Sequence, residues 1–223
     1  MTPTGRADTE MDADNPVVQL CAQGMRAETE GRADEARALY LRAWEAAGND
    51  YDACVAAHYL ARHQPTPQET LRWNQECLTR ADRVGDDRVR GFYASLHGNM
   101  GRALLDLGRP DAARTHFESA ARHLDAVPPG PYREWLRLCV ARGLRATAAP
   151  PPPDDPVQAL LTRFCARADL EALSLVLPAR MGSLGTPEDE ERVTTALRML
   201  HAERRLPAPE QRALADAIRT RSA

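Results

Sequence analysis

The sequence predicts an all-α protein, and three observations carry that expectation. Alanine and leucine dominate the apolar residues while aromatics make up only 5% of the chain, a composition suited to helices packed at close range because Ala and Leu are the strongest helix formers. Period-two runs of Val, Ile, Thr and aromatics, the mark of strands, are missing. Apolar residues recur instead in helix-length segments punctuated by Gly, Pro and capping residues.

In chain order, residues 1 to about 15 mix Thr, Asp, Gly and Glu without periodicity and read as a disordered tail. A first helix is expected from about Asn15 to Glu30, closed by Gly31, and a second from Asp34 to Ala47-Gly48. A third opens at Asp50 or Tyr51 and stops before Pro65. The fourth starts at Thr66-Pro67-Gln68-Glu69, with a capping Thr, Pro at the first helical position and Glu three residues after the cap, and it reaches Val84-Gly85. The fifth spans about Asp87 to Leu107, the sixth Asp111 to about Ala126, and the seventh Tyr132 to about Thr147 after a break at Val127-Pro128-Pro129-Gly130-Pro131. Residues 148–156, with Pro150 to Pro153 and Asp154-Asp155-Pro156, read as a stiff linker. The C-terminal region, 157–223, holds four shorter helices at about 157–166, 169–183, 188–204 and 209–221. Its apolar residues Leu160, Leu161, Phe164, Leu170, Leu173, Val176, Leu177, Leu197, Leu200 and Leu214 need burial, whether among themselves, against the rest of the chain or in a dimer.

Self-comparison exposes a repeat. Residues 31–43, GRADEARALYLRA, align without gaps on 108–120, GRPDAARTHFESA. Gly, Arg, Asp, Ala, Arg and the final Ala are identical, and Tyr40 matches Phe117. Gly31 and Gly108 suit a tight turn that needs left-handed backbone, while Asp34 and Asp111 favour the helix start that follows. Ala36, Tyr40 and Ala43, like Ala113, Phe117 and Ala120, share one helix face.

On these residues the chain resembles the tetratricopeptide repeat family. Gly24, Gly31, Ala36, Tyr40 and Ala43 fill the family's pattern in a first unit, and Gly101, Gly108, Ala113, Phe117 and Ala120 fill it in a third. The middle unit departs, with His58 in the small-residue place, Thr70, Asn74 and Cys77 on the second helix, and Gln64-Pro65-Thr66 in the turn. The resemblance covers about residues 16–147. It implies a helical-hairpin solenoid of about three repeats with the seventh helix as cap, and a concave face lined by the first helix of each pair. The residues then placed inward are Met25 and Glu28, Tyr59, Arg62 and His63, and Asn99, Arg102 and Asp106. Of these, Tyr59, Arg62, His63, Asn99, Arg102 and Asp106 are the candidate partner-binding residues, suited to a peptide carboxylate or acidic segment; an ordinary solvated helix face is the alternative reading.

Composition prunes the functions. All 29 basic residues are Arg, which reads as the coding bias of a GC-rich genome and a composition resembling actinobacterial proteins, and without Lys no Schiff-base or P-loop lysine chemistry is available. Up to residue 156 there are 19 Arg against 23 acids, and after it 10 Arg against 9 acids, so neither part has the basic surplus of a nucleic-acid binder. Arg204, Arg205, Arg212, Arg219 and Arg221 invite a DNA-binding reading that this balance opposes. No apolar run is long enough to span a membrane and no signal-peptide pattern opens the chain, so a cytoplasmic location is expected. The five cysteines, Cys21, Cys54, Cys77, Cys139 and Cys165, form no C-x-x-C pair and read as reduced core thiols. His116 and His123 share a helix face with His97 near them, but no metal-ligand spacing results. Glu188 to Glu191 sit at a helix start, where acids offset the dipole. No catalytic motif and no cofactor site is recognised. The expectation is a non-enzymatic scaffold or adaptor that binds a peptide or protein in the concave groove. The alternative is a sensory or regulatory protein whose repeats bind a peptide or small ligand and whose C-terminal helices are the output. Trp73 stands between an exposed interface aromatic and packing against the next repeat.

Overall fold

The computed structural model describes residues 14–150 and 154–222. The tail expected over 1–15 therefore lies, apart from Asp14 and Asn15, outside the described residues, as do linker residues 151–153. Everything described is helix or connection, with no strand. The contacts divide the chain into two compact units that meet in sequence between Leu136 and Arg137.

The first unit contains α1 (Pro16–Thr29), α2 (Ala33–Glu45), α3 (Asp50–Leu60), α4 (Pro67–Val84), α5 (Asp87–Arg90), α6 (Phe92–Asp106), α7 (Pro110–His123) and the start of α8 (Pro131–Ala146). The start signals work as local chemistry predicts. Asn15 accepts the Val17 amide at 2.8 Å, Asn49 the Asp52 amide at 2.9 Å and Thr66 the Glu69 amide at 3.2 Å, each satisfying an amide with no partner inside its helix. One expected helix is two: the ladder breaks at Gly91 between α5 and α6, where the residue with the weakest interior helix propensity after proline offers least resistance.

Helices α1 and α2, α3 and α4, and α6 and α7 pack as successive hairpins. The first and third end their leading helix identically. Gly31 and Gly108 take positive φ, 76° and 69°, and the next residue's amide returns to the carbonyl five back, Arg32 to Ala27 at 2.8 Å and Arg109 to Leu104 at 2.9 Å, closing a Schellman turn. The packing beyond the turn is repeated too. Gly24 lies under the Tyr40 ring and Gly101 under the Phe117 ring, so close that an added Cβ would meet ring carbons at 2.4 Å and 2.8 Å. Both rings are buried, with Ala36 and Ala43, or Ala113 and Ala120, at zero exposure beside them.

The middle hairpin lacks this lock. Asn74 is fully buried in the ring's place and donates to Thr70 O at 2.8 Å, but its Oδ1 and His58 Nδ1 are buried without a hydrogen-bond partner. Burial lowers the His58 pKa to about 4, so its imidazole is neutral. Two thiols instead meet across the pair, Cys54 and Cys77, with sulfurs 3.6 Å apart.

The second unit contains the rest of α8 with α9 (Pro156–Ala166), α10 (Leu170–Met181), α11 (Pro187–Glu203) and α12 (Ala208–Ser222). Helices α9 to α12 each pack on their chain neighbours and α12 closes back on α9, a four-helix ring. Its core is Val157, Leu160, Leu161, Phe164, Val176, Val193, Leu197, Leu200, Leu206 and Leu214. Leu173 and Leu177 pack partly against it, but Leu170, expected there, is 73% exposed at the start of α10. Pro156 belongs to α9 and not to the linker, with Asp155 accepting the Val157 amide at 2.9 Å. Buried Asp189 receives Arg137, Arg192 and, at 2.7 Å, the Leu184 amide. Arg137 also donates to Gly182 O at 2.9 Å and Arg145 to Met181 O at 2.7 Å, satisfying carbonyls at the end of α10.

The thiols expected in the core divide. Cys21, Cys54 and Cys77 are buried, Cys139 is half-buried and Cys165 is exposed, because Cys165 faces away from the apolar side of α9. No helix among the described residues is long and apolar enough to cross a membrane.

Candidate functional site

Helices α1 and α3 lie side by side and parallel, tied at both ends by polar groups. At their starts, Asn15 Nδ2 donates to Asp52 Oδ1 and Asn49 Nδ2 to Asp52 Oδ2, both at 2.8 Å. Asp52 is only 7% exposed, so these bonds compensate a buried carboxylate. At their ends, Glu28 of α1 accepts hydrogen bonds from Arg62 and from the Tyr40 hydroxyl at 3.1 Å, and His63 Nε2 stands 3.4 Å from it.

Aromatic faces complete this second cluster. Tyr40 and Tyr59 stack with centroids 5.3 Å apart, His63 tilts against Tyr40 at 5.2 Å, and the Arg62 guanidinium lies 5.7 Å from the Tyr59 centroid. Burial acts to raise the Glu28 pKa, but the Arg62 charge and hydrogen bonds from Arg62 and Tyr40, with His63 close by, outweigh it and hold the carboxyl below its ordinary value. Burial, and then the bond to Glu28, push the Tyr40 hydroxyl up. The cluster offers ring faces and charge-assisted hydrogen bonds, groups that recognise by contact.

Four of the residues the repeat pattern turns inward, Glu28, Tyr59, Arg62 and His63, are thus brought together. Arg62 is already engaged by Glu28, so it is a structural ion-pair partner more than an unspent cation. Met25 is 38% exposed on α1. Asn99, half-buried, and Arg102 and Asp106, both exposed, lie along α6; among the described residues no hydrogen bond or ion pair joins them to the Glu28 cluster. The pairing of Asn15 with Asp52 is not legible in the sequence, because nothing in local periodicity links residues 37 apart.

The other candidates settle elsewhere. Trp73 packs edge-on against Trp44 at 5.1 Å with the Arg72 guanidinium 4.9 Å over its ring, so it is a packing residue. His97 and His116 meet with Nδ1 atoms 2.9 Å apart, and His123 stacks on His97 at 5.8 Å. Burial and then the neighbouring His116 and His123 lower the His97 pKa to about 4. No group of three or more His, Cys, Asp or Glu among the described residues is arranged to hold a metal ion. Of the C-terminal arginines, Arg205 pairs with Asp169, Arg219 with Asp216 and Arg221 with Glu190, so much of that charge is neutralised within the fold.

No protein family, curated protein or solved structure matches the chain.

Proposed function

We propose that hairpins α1–α2, α3–α4 and α6–α7 stack as a tetratricopeptide-type solenoid and that the protein is a non-enzymatic scaffold, holding a peptide or protein partner against the faces of α1, α3 and α6. The observation that carries this reading is the parallel pairing of α1 with α3, with Glu28, Tyr59, Arg62 and His63 gathered between them. Stacked helical hairpins place their first helices side by side in this way, and the surface they build binds extended or helical segments. The repeated glycine-under-ring contact supports the same reading. Asn99 and Arg102 extend the surface with a carboxamide and a cation suited to an acidic segment or terminal carboxylate.

The test is affinity capture from an extract of the native cell, with wild type beside an Asn99→Ala/Arg102→Ala variant. Arg62 is left intact because its loss would strand Glu28. A partner retained by wild type and lost by the variant supports the groove; identical partner sets contradict it. The four-helix ring, with a core of its own, favours a second reading in which it is an output module. That reading predicts that deleting 157–223 leaves capture intact but abolishes the downstream response.

A further inference from the structure

We propose that Cys54 and Cys77 are a latent disulfide: a two-electron thiol oxidant, either a hydroperoxide or a low-molecular-weight disulfide, joins them into an intrachain bond that staples α3 to α4. Their sulfurs already touch at 3.6 Å across the hairpin. The Cys77 thiol donates to Cys54 O at 3.1 Å, which holds its side chain toward the partner. A disulfide is ~1.5 Å shorter than this contact, so closure asks for a small approach of two helices already packed together. Both thiols have zero exposure, which makes the reaction depend on local opening.

The fold supplies such an opening in the same hairpin. α3–α4 is the pair without the glycine-and-ring lock, and its two helices carry orphaned polar atoms, His58 Nδ1 and Asn74 Oδ1. Each favours the opened state, where water can satisfy it.

With hydrogen peroxide the atoms balance as follows. The Cys54 sulfur gives up its proton and attacks the peroxide; an S–O bond forms, the O–O bond breaks, and the leaving hydroxide takes that proton as water. The Cys77 sulfur then attacks the Cys54 sulfenic acid, the S–S bond forms, the S–O bond breaks, and the departing hydroxide takes the Cys77 proton as water. In sum two thiols and one peroxide become one disulfide and two waters. The Cys77 proton is held on Cys54 O, and a hydrogen bond to Cys54 and burial push the Cys77 thiol pKa well up, so Cys77 acts as the resolving thiol. With oxidised glutathione the same two steps are thiol–disulfide exchanges that release two reduced glutathiones.

The test incubates the full chain, as wild type and as Cys21→Ala/Cys139→Ala/Cys165→Ala, with hydrogen peroxide or oxidised glutathione in native buffer. Intact mass and non-reducing peptide maps are then recorded. The expected result is loss of two hydrogens, a single linkage between the Cys54 and Cys77 peptides in both proteins, a higher urea midpoint, and full reversal by dithiothreitol. Wild type stands in should the triple variant misfold. The proposal is overturned if both thiols remain alkylatable after oxidation, if wild type yields only adducts at Cys139 and Cys165, or if the link forms only in urea that unfolds the hairpin.

Discussion

Replacing Gly101 by alanine sets a new methyl against the Phe117 ring, 2.8 Å from Cε1 and 2.9 Å from Cδ1 and Cζ. Phe117 is 4% exposed and held between the buried Ala113 and Ala120, so the ring cannot swing aside without disturbing α7. Overpacking of this kind costs ~1–3 kcal/mol. Alanine recovers ~0.5–1 kcal/mol over glycine in a helix interior, leaving a net loss of ~1 kcal/mol at the middle of the two ranges. The assay is urea unfolding followed by tryptophan fluorescence. Two of the three tryptophans, Trp44 and Trp73, lie within the first unit, and the third, Trp135, is 55% exposed on α8, so this signal reports mainly the first unit. Gly48→Ala is the control: an added Cβ there meets nothing within 4 Å, and the change is neutral or stabilises by a few tenths of a kcal/mol. Phe117→Leu, combined with Gly101→Ala, relieves the clash, so the double variant is less destabilised than the sum of the singles by ~1 kcal/mol. If Gly101→Ala stabilises as Gly48→Ala does, the glycine-under-ring contact is not what holds the hairpin.

Other outcomes follow from the same structure. His58 is held neutral with its pKa near 4, below the ordinary imidazole value, so the unfolded chain binds the extra proton; this stability is complete above about pH 6.5 and falls by about 2 kcal/mol by pH 5. Urea midpoints measured across that range show the slope, and His58→Gln makes it shallower, leaving the part that His97 contributes through its own lowered pKa. Arg137→Ala removes one of the two guanidiniums on fully buried Asp189 and destabilises the second unit by about 2–3 kcal/mol, seen as an earlier far-ultraviolet circular dichroism transition with the tryptophan transition shifted less. Ala168 closes α9 at φ 55°, a left-handed position costly for a side chain, so Ala168→Gly stabilises that unit by about 1 kcal/mol in the same assay.

Much of the fold was legible because helix boundaries are local chemistry. Asn15, Thr66 and Thr186 cap the helices that follow them, and Gly31 and Gly108 turn left-handed because glycine has no Cβ to clash. The small residue and the ring of the repeat proved to be contact partners, Gly24 with Tyr40 and Gly101 with Phe117. What escaped were long-range pairings between side chains that each look ordinary in their own segment. Glu28 with Arg62, Asn15 with Asp52 and Cys54 with Cys77 are separated by 34, 37 and 23 residues, beyond the reach of any helical period. Leu170 shows the opposite error: helical periodicity placed it inward, but it begins α10, where the chain has just left a turn and its side chain stays in solvent.

The central claim, that the faces of α1, α3 and α6 bind a partner, meets its most direct test in amide hydrogen exchange of the full chain with and without the captured partner. The account predicts added protection over residues 16–29, 50–63 and 92–106, with α2, α4 and α7 little changed. Protection confined to α2, α4 and α7, or to residues 157–222, would contradict it.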